Sequence, residues 1–468
     1  MGFFQFAAGV LALLQFNGRK TEAAWDRRPH VDPWRGAAQS GQRHVYSRRG
    51  NSILGGKRRT AWLWSQEIAS SGAGTLKPYP ANVFDTCIQI NLQQGFGGGE
   101  VFTAALTRAL RRIGIGTLLF VDPHAEAWSS LPMPDTRVES LADLADLPGL
   151  LHGKPRSWLL FHTFAPAEVV DALRAQGHLV SAFAHMPLYG RDPRPLVPFD
   201  LILAGSRHVI ASLHAAGIRR VHPEPLYAVA QIDRVGAGSE PLRARSRYDW
   251  DRRKLRDRAL GALEPLWRRF LTETAYARRT GLALGVVSRI TPIKQFPLLF
   301  THLAPILARH PVVQLEIFGS GGYASIRDLA RALRPIRERV RFWGYQRDVG
   351  AAYRSVDFLL TGLPEKEALG LNVIEAQACG TPVIAPDAPP FDETVMHGAS
   401  GLRYRDPRED EGADFERTLE LVLGGGFRFD KESAGAHLLR FSEDAFVERL
   451  RALIGVLAGA GLGRIGAS

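Results

Sequence analysis

From Val83 onward, short apolar runs rich in β-formers alternate with segments of helical periodicity, and few architectures accommodate that alternation. The first series is VFDTCIQI, TLLFVD, WLLFH, LVSAFAH and LILAG, with helical patterns between most of its members. Strands that read as nearly continuous hydrophobic runs are buried on both faces, which requires crossover helices and predicts a parallel α/β sheet. The pattern lapses over residues 229–280 into Gly, Pro and Arg, then resumes with LALGVVS, VQLEIFG, VRFWG, VDFLLTG and PVIAP. Two Rossmann-like parallel-sheet domains are therefore expected, at 81–228 and 281–425. Between them lies a basic linker, 229–280, with a helix from Tyr248 to Phe270. A helical tail, 426–468, includes an amphipathic helix from Ser442 to Gly459. With 468 residues, the chain is long enough for each domain to bury its own core.

Charge is distributed unevenly. The net charge of +12 is more than accounted for by residues 1–80, at +8, and residues 241–280, at +7, so the rest of the chain is weakly acidic. That argues against a nucleic-acid-binding body. Two cysteines in so long a chain exclude a disulfide framework and a four-thiolate zinc site, and a reducing, cytoplasmic compartment fits best. The apolar run from Phe3 to Phe16 is too short to span a bilayer. With Arg19, Lys20, Arg27 and Arg28 behind it, residues 3–28 read either as an interfacial anchor on anionic lipid or as part of a poorly ordered extension. The Arg, Gly and Ser content of 29–80 favours the second reading.

Gly95-Phe96-Gly97-Gly98-Gly99-Glu100 follows a strand and opens a helix. Gly98 and Gly99 can bring bare backbone N–H groups up to an anion or a sugar hydroxyl at the positive helix end. Asp122, ending the next strand, suits a dinucleotide ribose, but the third glycine of G-x-G-x-x-G is replaced by Glu100, whose charge would repel a pyrophosphate.

In the second half, Arg289 closes one strand and Lys294 follows five residues later, so both cations can stand at the carboxyl edge of the sheet, where ligands of α/β folds bind. A planar guanidinium fork and a movable ammonium suit a diphosphate. The segment LPEKEALGLNVIEAQACGTPVIAP supplies Glu367 and Glu375, with a short loop and a helix start near Gly370 between them. Glu367 should precede that helix, Glu375 should lie inside it, and the N–H groups of Leu371 to Val373 should point out of its N-terminus. Two carboxylates and a positive helix end can hold two polyols with phosphates between them.

These elements resemble the retaining glycosyltransferases of family 4, also called group 1, over residues 82 to about 425. The resemblance implies the two-domain GT-B fold, a nucleotide-diphosphate-sugar donor, and transfer with retention of configuration. Under it, Glu367, Leu369, Gly370, Leu371, Asn372 and Glu375 hold the donor sugar and ribose, followed by ACGTPVI from Ala378 to Ile384. Arg289 and Lys294 form the diphosphate clamp, Gly98 and Gly99 the glycine loop, and Ser206 to Ile218 the serine and helix after a strand edge. The chain departs from the family at Pro364 and Leu369, where Ser and Phe are frequent. It also departs at Ala388-Pro389-Pro390, where glycines are usual, which leaves the identity of the sugar open.

His185 ends LVSAFAH, where the family places a histidine against the donor sugar, and His162, ending WLLFH, competes for that role. Asp249-Trp250-Asp251 matches a metal-binding D-x-D string but opens an Arg-rich helix, where acids complement the dipole. The basic face over 252–269 is a solvated surface or a contact with anionic lipid or a lipid-linked phosphate. The resulting expectation is a metal-independent enzyme with no cofactor, with Glu367, His185, Arg289 and Lys294 as catalytic residues. It would pass sugar from a nucleotide-sugar to a glycan or lipid-linked acceptor, in cell-surface polysaccharide or glycoconjugate assembly. It would act in the cytoplasm or as a peripheral protein on the inner face of the membrane, with no nucleic-acid partner. The alternatives are a GT-B-fold sugar-nucleotide epimerase and an inactive nucleotide- or glycan-binding scaffold.

Overall fold

A computed structural model describes residues 84–459, except for short stretches at 95–96, 126–127, 129–130, 132, 134–135, 230–240, 251–253 and 269–274. The expected extension 1–80, with its anchor at 3–28, lies outside the described residues, as do Asp251, Arg252, Arg253 and Arg269.

Six parallel strands form the first sheet: β1 (Thr86–Asn91), β2 (Gly116–Val121), β3 (Arg137–Ser140), β4 (Trp158–Phe161), β5 (Leu179–Ala184) and β6 (Leu201–Ala204), in the order β3-β2-β1-β4-β5-β6. The second sheet contains β7 (Leu282–Val287), β8 (Val313–Phe318), β9 (Val340–Gly344), β10 (Phe358–Leu360), β11 (Val383–Pro386) and β12 (Gly401–Tyr404), in the order β12-β11-β10-β7-β8-β9. Counted from its own first strand, each sheet follows the order 3-2-1-4-5-6. Each therefore reverses direction once, between β1 and β4 and between β7 and β10, and such a switch point opens a crevice beyond the carboxyl ends of the strands.

Apolar side chains fill both faces of each sheet. β4 and β5 are buried along their whole length, as continuous apolar runs require. The helices include α1 (Gly98–Arg112), α2 (Arg207–Ala215), α3 (Leu255–Arg268), α4 (Phe296–Arg309) and α5 (Leu371–Ala378), of which α1 and α5 reach the site. A sixth, α6 (Glu443–Gly459), leaves the second half of the chain and packs on the first sheet's layer. Its Phe446, Val447, Leu450, Leu453 and Leu457 share one core with Phe102, Leu106 and Leu110 of α1. Burying each such side chain contributes roughly 1.5–3 kcal/mol. Arg112 with Glu443 and Asp444 ties the rim of this contact.

The linker differs from expectation. The helix begins at Leu255 and not at Tyr248. The preceding residues run extended along the second domain, where Arg245 N–H donates to Trp343 O and Asp249 N–H to Gly321 O, both at 2.9 Å. Tyr248, expected at the start of the helix, stacks on Tyr323, and Trp250 packs against Gly261. Asp249 consequently lies before the helix as part of a bridge between residues 248 and 321. No helix among the described residues is long and apolar enough to cross a membrane.

Candidate active site

A cleft of about 650 Å³ lies beyond the carboxyl ends of β1, β5 and β7, against the N-termini of α1 and α5. Arg289, Lys294, Glu367, Leu369, Gly370, Leu371, Asn372, Glu375, Gly98, Gly99 and His185 all line it. Arg289 leaves the end of β7 and reaches the glycine loop: its Nη1 is 3.5 Å from where a side chain at Gly97 would start. Lys294 ends a single 3-10 turn, Pro292–Lys294. That turn can sit close to β10 because residue 362 is glycine, a Cβ there falling 2.4 Å from Lys294 O.

Lys294 Nζ is paired with Glu367 Oε2, so one arm of the expected diphosphate clamp is charge-matched to the expected sugar-binding acid. Sequence reasoning assigned the two residues to separate parts of the ligand and missed this pairing. After Glu367 the chain turns through Gly370, at φ 81°, where a side chain would crowd Val373 and Phe391 at 3.2 and 3.3 Å. Glycine tolerates both conditions and lets α5 start there with its N-terminus open to the cleft. One detail is corrected: Val373 N–H already donates to Gly370 O at 3.0 Å, leaving Leu371 and Asn372 to supply the outward N–H groups. The Asn372 amide donates to Val287 O at 3.2 Å, and the Leu369 side chain is buried with Tyr227, Ile374, Leu438 and Phe441. Leu369 thus offers a ligand its backbone only.

Glu375 is largely buried inside α5 and accepts from Tyr353 Oη at 2.9 Å. Burial pushes its carboxyl up to about 7, against the opposing effect of that hydrogen bond. Across the cleft, Glu100 turns back to accept from Gly97 N–H at 2.7 Å, capping α1. Its carboxylate therefore occupies the Gly97 N–H that an anion could have used at the end of α1. Asp122 accepts from Gln94 and from the N–H of His124 and is absent from the cleft lining among the described residues, so the dinucleotide pattern is not completed.

The two competing histidines prove to be partners. His162 Nδ1 lies 2.9 Å from His185 Nε2, and His162 Nε2 lies 3.0 Å from Gln89 Oε1. Burial holds both rings neutral, driving His162 well below its ordinary value and His185 to about 4. β4 and β5 are adjacent strands, so two histidines ending adjacent runs could have been paired once strand order was known.

A closing contact between the two halves was also missed. Glu393 accepts from the backbone N–H groups of Arg207 and His208 at the start of α2, at 3.0 and 2.8 Å, and from Tyr227 Oη at 2.9 Å. Ser206, the expected strand-edge serine, caps α2 through Val209 N–H and donates to Ala368 O in the loop between the two acids. The carboxylate thus supplies a helix N-terminus of one domain from a short helix of the other.

Solved structures place this geometry in a known architecture. HepE of Anabaena in complex with UDP matches with a TM-score of 0.58 at 17% identity, covering 79% of this chain and 99% of that one. The sucrose-phosphate synthase of Thermosynechococcus elongatus matches at 0.58 and 16%, covering 81% and 100%. The fold is GT-B, two six-stranded parallel sheets facing a cleft. Residues 281–421 match the family described as Glycosyl transferases group 1, and the chain carries a domain of that family. The D-inositol 3-phosphate glycosyltransferase of Nocardia farcinica is 33% identical over 211 residues, 40% of this chain and 46% of the relative. The phosphatidyl-myo-inositol mannosyltransferase of Mycobacterium leprae is 31% identical over 151 residues, 32% and 39%. The chain spans less than half the length of these two curated relatives.

Proposed function

We propose that this chain is a retaining, metal-independent glycosyltransferase that moves a sugar from a nucleoside-diphosphate donor to a glycan or lipid-linked acceptor. The observation that carries the reading is the convergence of Arg289, the Lys294–Glu367 pair, the open N-terminus of α5 and Glu375 in one cleft of a GT-B fold. Residues 281–425 hold the donor and residues 81–228 the acceptor. Glu375 takes the ribose, and Arg289, Lys294 and α5 take the diphosphate.

The Lys294–Glu367 pair exchanges partners on binding. Phosphate oxygens take the ammonium, and Glu367 is released to accept from sugar hydroxyls. As the glycosidic bond lengthens, negative charge grows on the departing diphosphate, where Arg289, Lys294 and the N–H groups of Leu371 and Asn372 stabilise it. His185 borders the sugar from the other domain. Two fixed cations and a helix end supply the positive charge that a divalent ion would otherwise bring, so chelators should leave turnover unchanged. Closure of the cleft excludes water.

The names of the relatives, which specify inositol phosphates and phosphatidylinositol, favour a phosphorylated or lipid-linked polyol acceptor and a role in cell-surface glycoconjugate assembly. The protein then works on the inner face of the membrane as a peripheral enzyme, with the basic residues of 252–269 and the segment 3–28 towards anionic lipid.

The test is binding followed by turnover. Thermal unfolding of the chain with UDP, GDP, ADP, TDP or CMP, each beside its sugar conjugates, should show a shift for one base. A ligand at a hundred times its Kd contributes about 2.7 kcal/mol. Glu367→Ala should then lose roughly 30 to 1000-fold in transfer rate, equivalent to about 2–4 kcal/mol, with the nucleoside diphosphate still bound. Unchanged transfer in that variant would refute the assignment. Release of an altered sugar without an acceptor would indicate an epimerase, and nucleotide binding without turnover a scaffold.

A further inference from the structure

The direction of the hydrogen bonds behind His185 is set by a single hydroxyl. Thr107 Oγ1, in α1, lies 2.9 Å from the carbonyl oxygen of Thr103 and 2.8 Å from the Gln89 amide. A carbonyl only accepts and a hydroxyl has one proton to give, so that proton goes to Thr103 O. Gln89 must then donate through Nε2, which turns its Oε1 towards His162. An amide oxygen only accepts, so His162 carries its proton on Nε2, at 3.0 Å. A neutral imidazole has one N–H, so His162 Nδ1 accepts from His185 Nε2 at 2.9 Å. The one polar atom of His185 left for the cleft is an unprotonated Nδ1.

Aromatic rings surround this chain of bonds among the described residues. Phe102 and Phe183 flank both rings, with centroids at 5.6 and 4.6 Å from His185. Gln89 and Thr107 are almost fully buried. Gly99 lies against the ring, a Cβ there coming into ordinary contact 3.8 Å from Nδ1. The device is also repeated one helical turn earlier. Thr103 Oγ1 donates to Gly99 O at 2.9 Å and accepts from the Asn91 amide at 3.1 Å, two residues along β1 from Gln89.

We propose that Thr107, Gln89 and His162 are positioning residues that hold His185 as its Nε2–H tautomer, so that Nδ1 meets the donor sugar as an acceptor for a hydroxyl. The consequence for the substrate rests on reading the cleft as a sugar-nucleotide site, whereas the tautomer does not. A sugar group facing His185 must donate a hydrogen bond, and a carboxylate in that place would meet a lone pair.

The test is long-range proton–nitrogen NMR on the ligand-free chain labelled with 15N-histidine, His185 being assigned by the signals lost in His185→Gln. The expected spectrum shows pyrrole-type Nε2 and pyridine-type Nδ1 for His185. Thr107→Ser should preserve it, and Thr107→Val, which cannot accept from the Gln89 amide, should give a mixture of tautomers. A proton on Nδ1 in the unmodified chain overturns the proposal, and that spectrum decides even if the Val variant fails to fold. A single Nε2–H form retained in a folded Thr107→Val overturns the relay. For function, UDP-glucose and GDP-mannose are the probes. The bound conjugate should shift the Nδ1 signal of His185, and Thr107→Val should lower kcat/KM by about tenfold, the loss of one hydrogen bond, with affinity for the bare diphosphate unchanged. Failure of both conjugates to bind counts against the glycosyltransferase reading alone, while binding without a shift at Nδ1 overturns the hydroxyl contact.

Discussion

Glu375 shows how burial alters the expected chemistry of an acid. Its folded value near 7 stands above the ordinary 4.5, so between those two the folded chain binds a proton that the unfolded chain has lost. Stability falls with rising pH wherever the folded state binds more protons. The side chain should therefore destabilise the protein progressively as pH rises from about 4.5 through about 7, by up to about 3 kcal/mol once both states are ionised. Glu375→Gln removes that dependence. Thermal unfolding of the two forms from pH 5 to 8 should show the Gln variant gaining on the parent as pH increases, and parallel curves would contradict the assignment. The charged residues of the cleft were legible because carboxylates and cations next to glycine and a helix start carry their chemistry in their identity. The Lys294–Glu367 pair and the His162–His185 pair were not, since each joins residues whose proximity depends on how distant elements are brought together.

Most strands could be read directly, because a parallel strand buried on both faces must be apolar almost throughout. β3, RVES, escaped notice for the converse reason: it is an edge strand, mostly exposed, and has no apolar run to announce it. The linker helix starts later than expected because residues 248 and 250, two apart, do not share a helical face: Tyr248 stacks on Tyr323, while Trp250 packs on Gly261 and donates to Glu264 of α3. The start of α5 was located correctly at Gly370, and the reason is steric. Gly370→Ala imposes a left-handed conformation on a side chain that also crowds Val373 and Phe391, which should cost about 1–2 kcal/mol of stability. Because the same turn sets the open N-terminus of α5, nucleoside diphosphate affinity should fall as well. Calorimetry on the variant checks both, and an unperturbed Tm with unperturbed binding would show that the turn is dispensable.

For the molecule as a whole, Glu393, Tyr227 and Ser206 join the two halves by hydrogen bonds. Glu393→Ala leaves two N–H groups of α2 and the Tyr227 hydroxyl without their acceptor, a loss on the order of 1–3 kcal/mol. The expected result is a wider radius of gyration by small-angle scattering and weaker binding of the diphosphate by up to about tenfold. An unchanged scattering curve would assign closure to the apolar contacts around Leu369 and Phe441. The return of α6 to the first sheet has a consequence in time. On the ribosome, all six strands of that sheet are made before residue 205, yet the helix that covers the apolar face of α1 begins only at Glu443. At roughly 5–20 residues per second, the first half waits for tens of seconds with Phe102, Leu106 and Leu110 uncovered. The first sheet is begun before the second and covered after it, so a chaperone that shields α1 during synthesis would affect yield more than one acting after release.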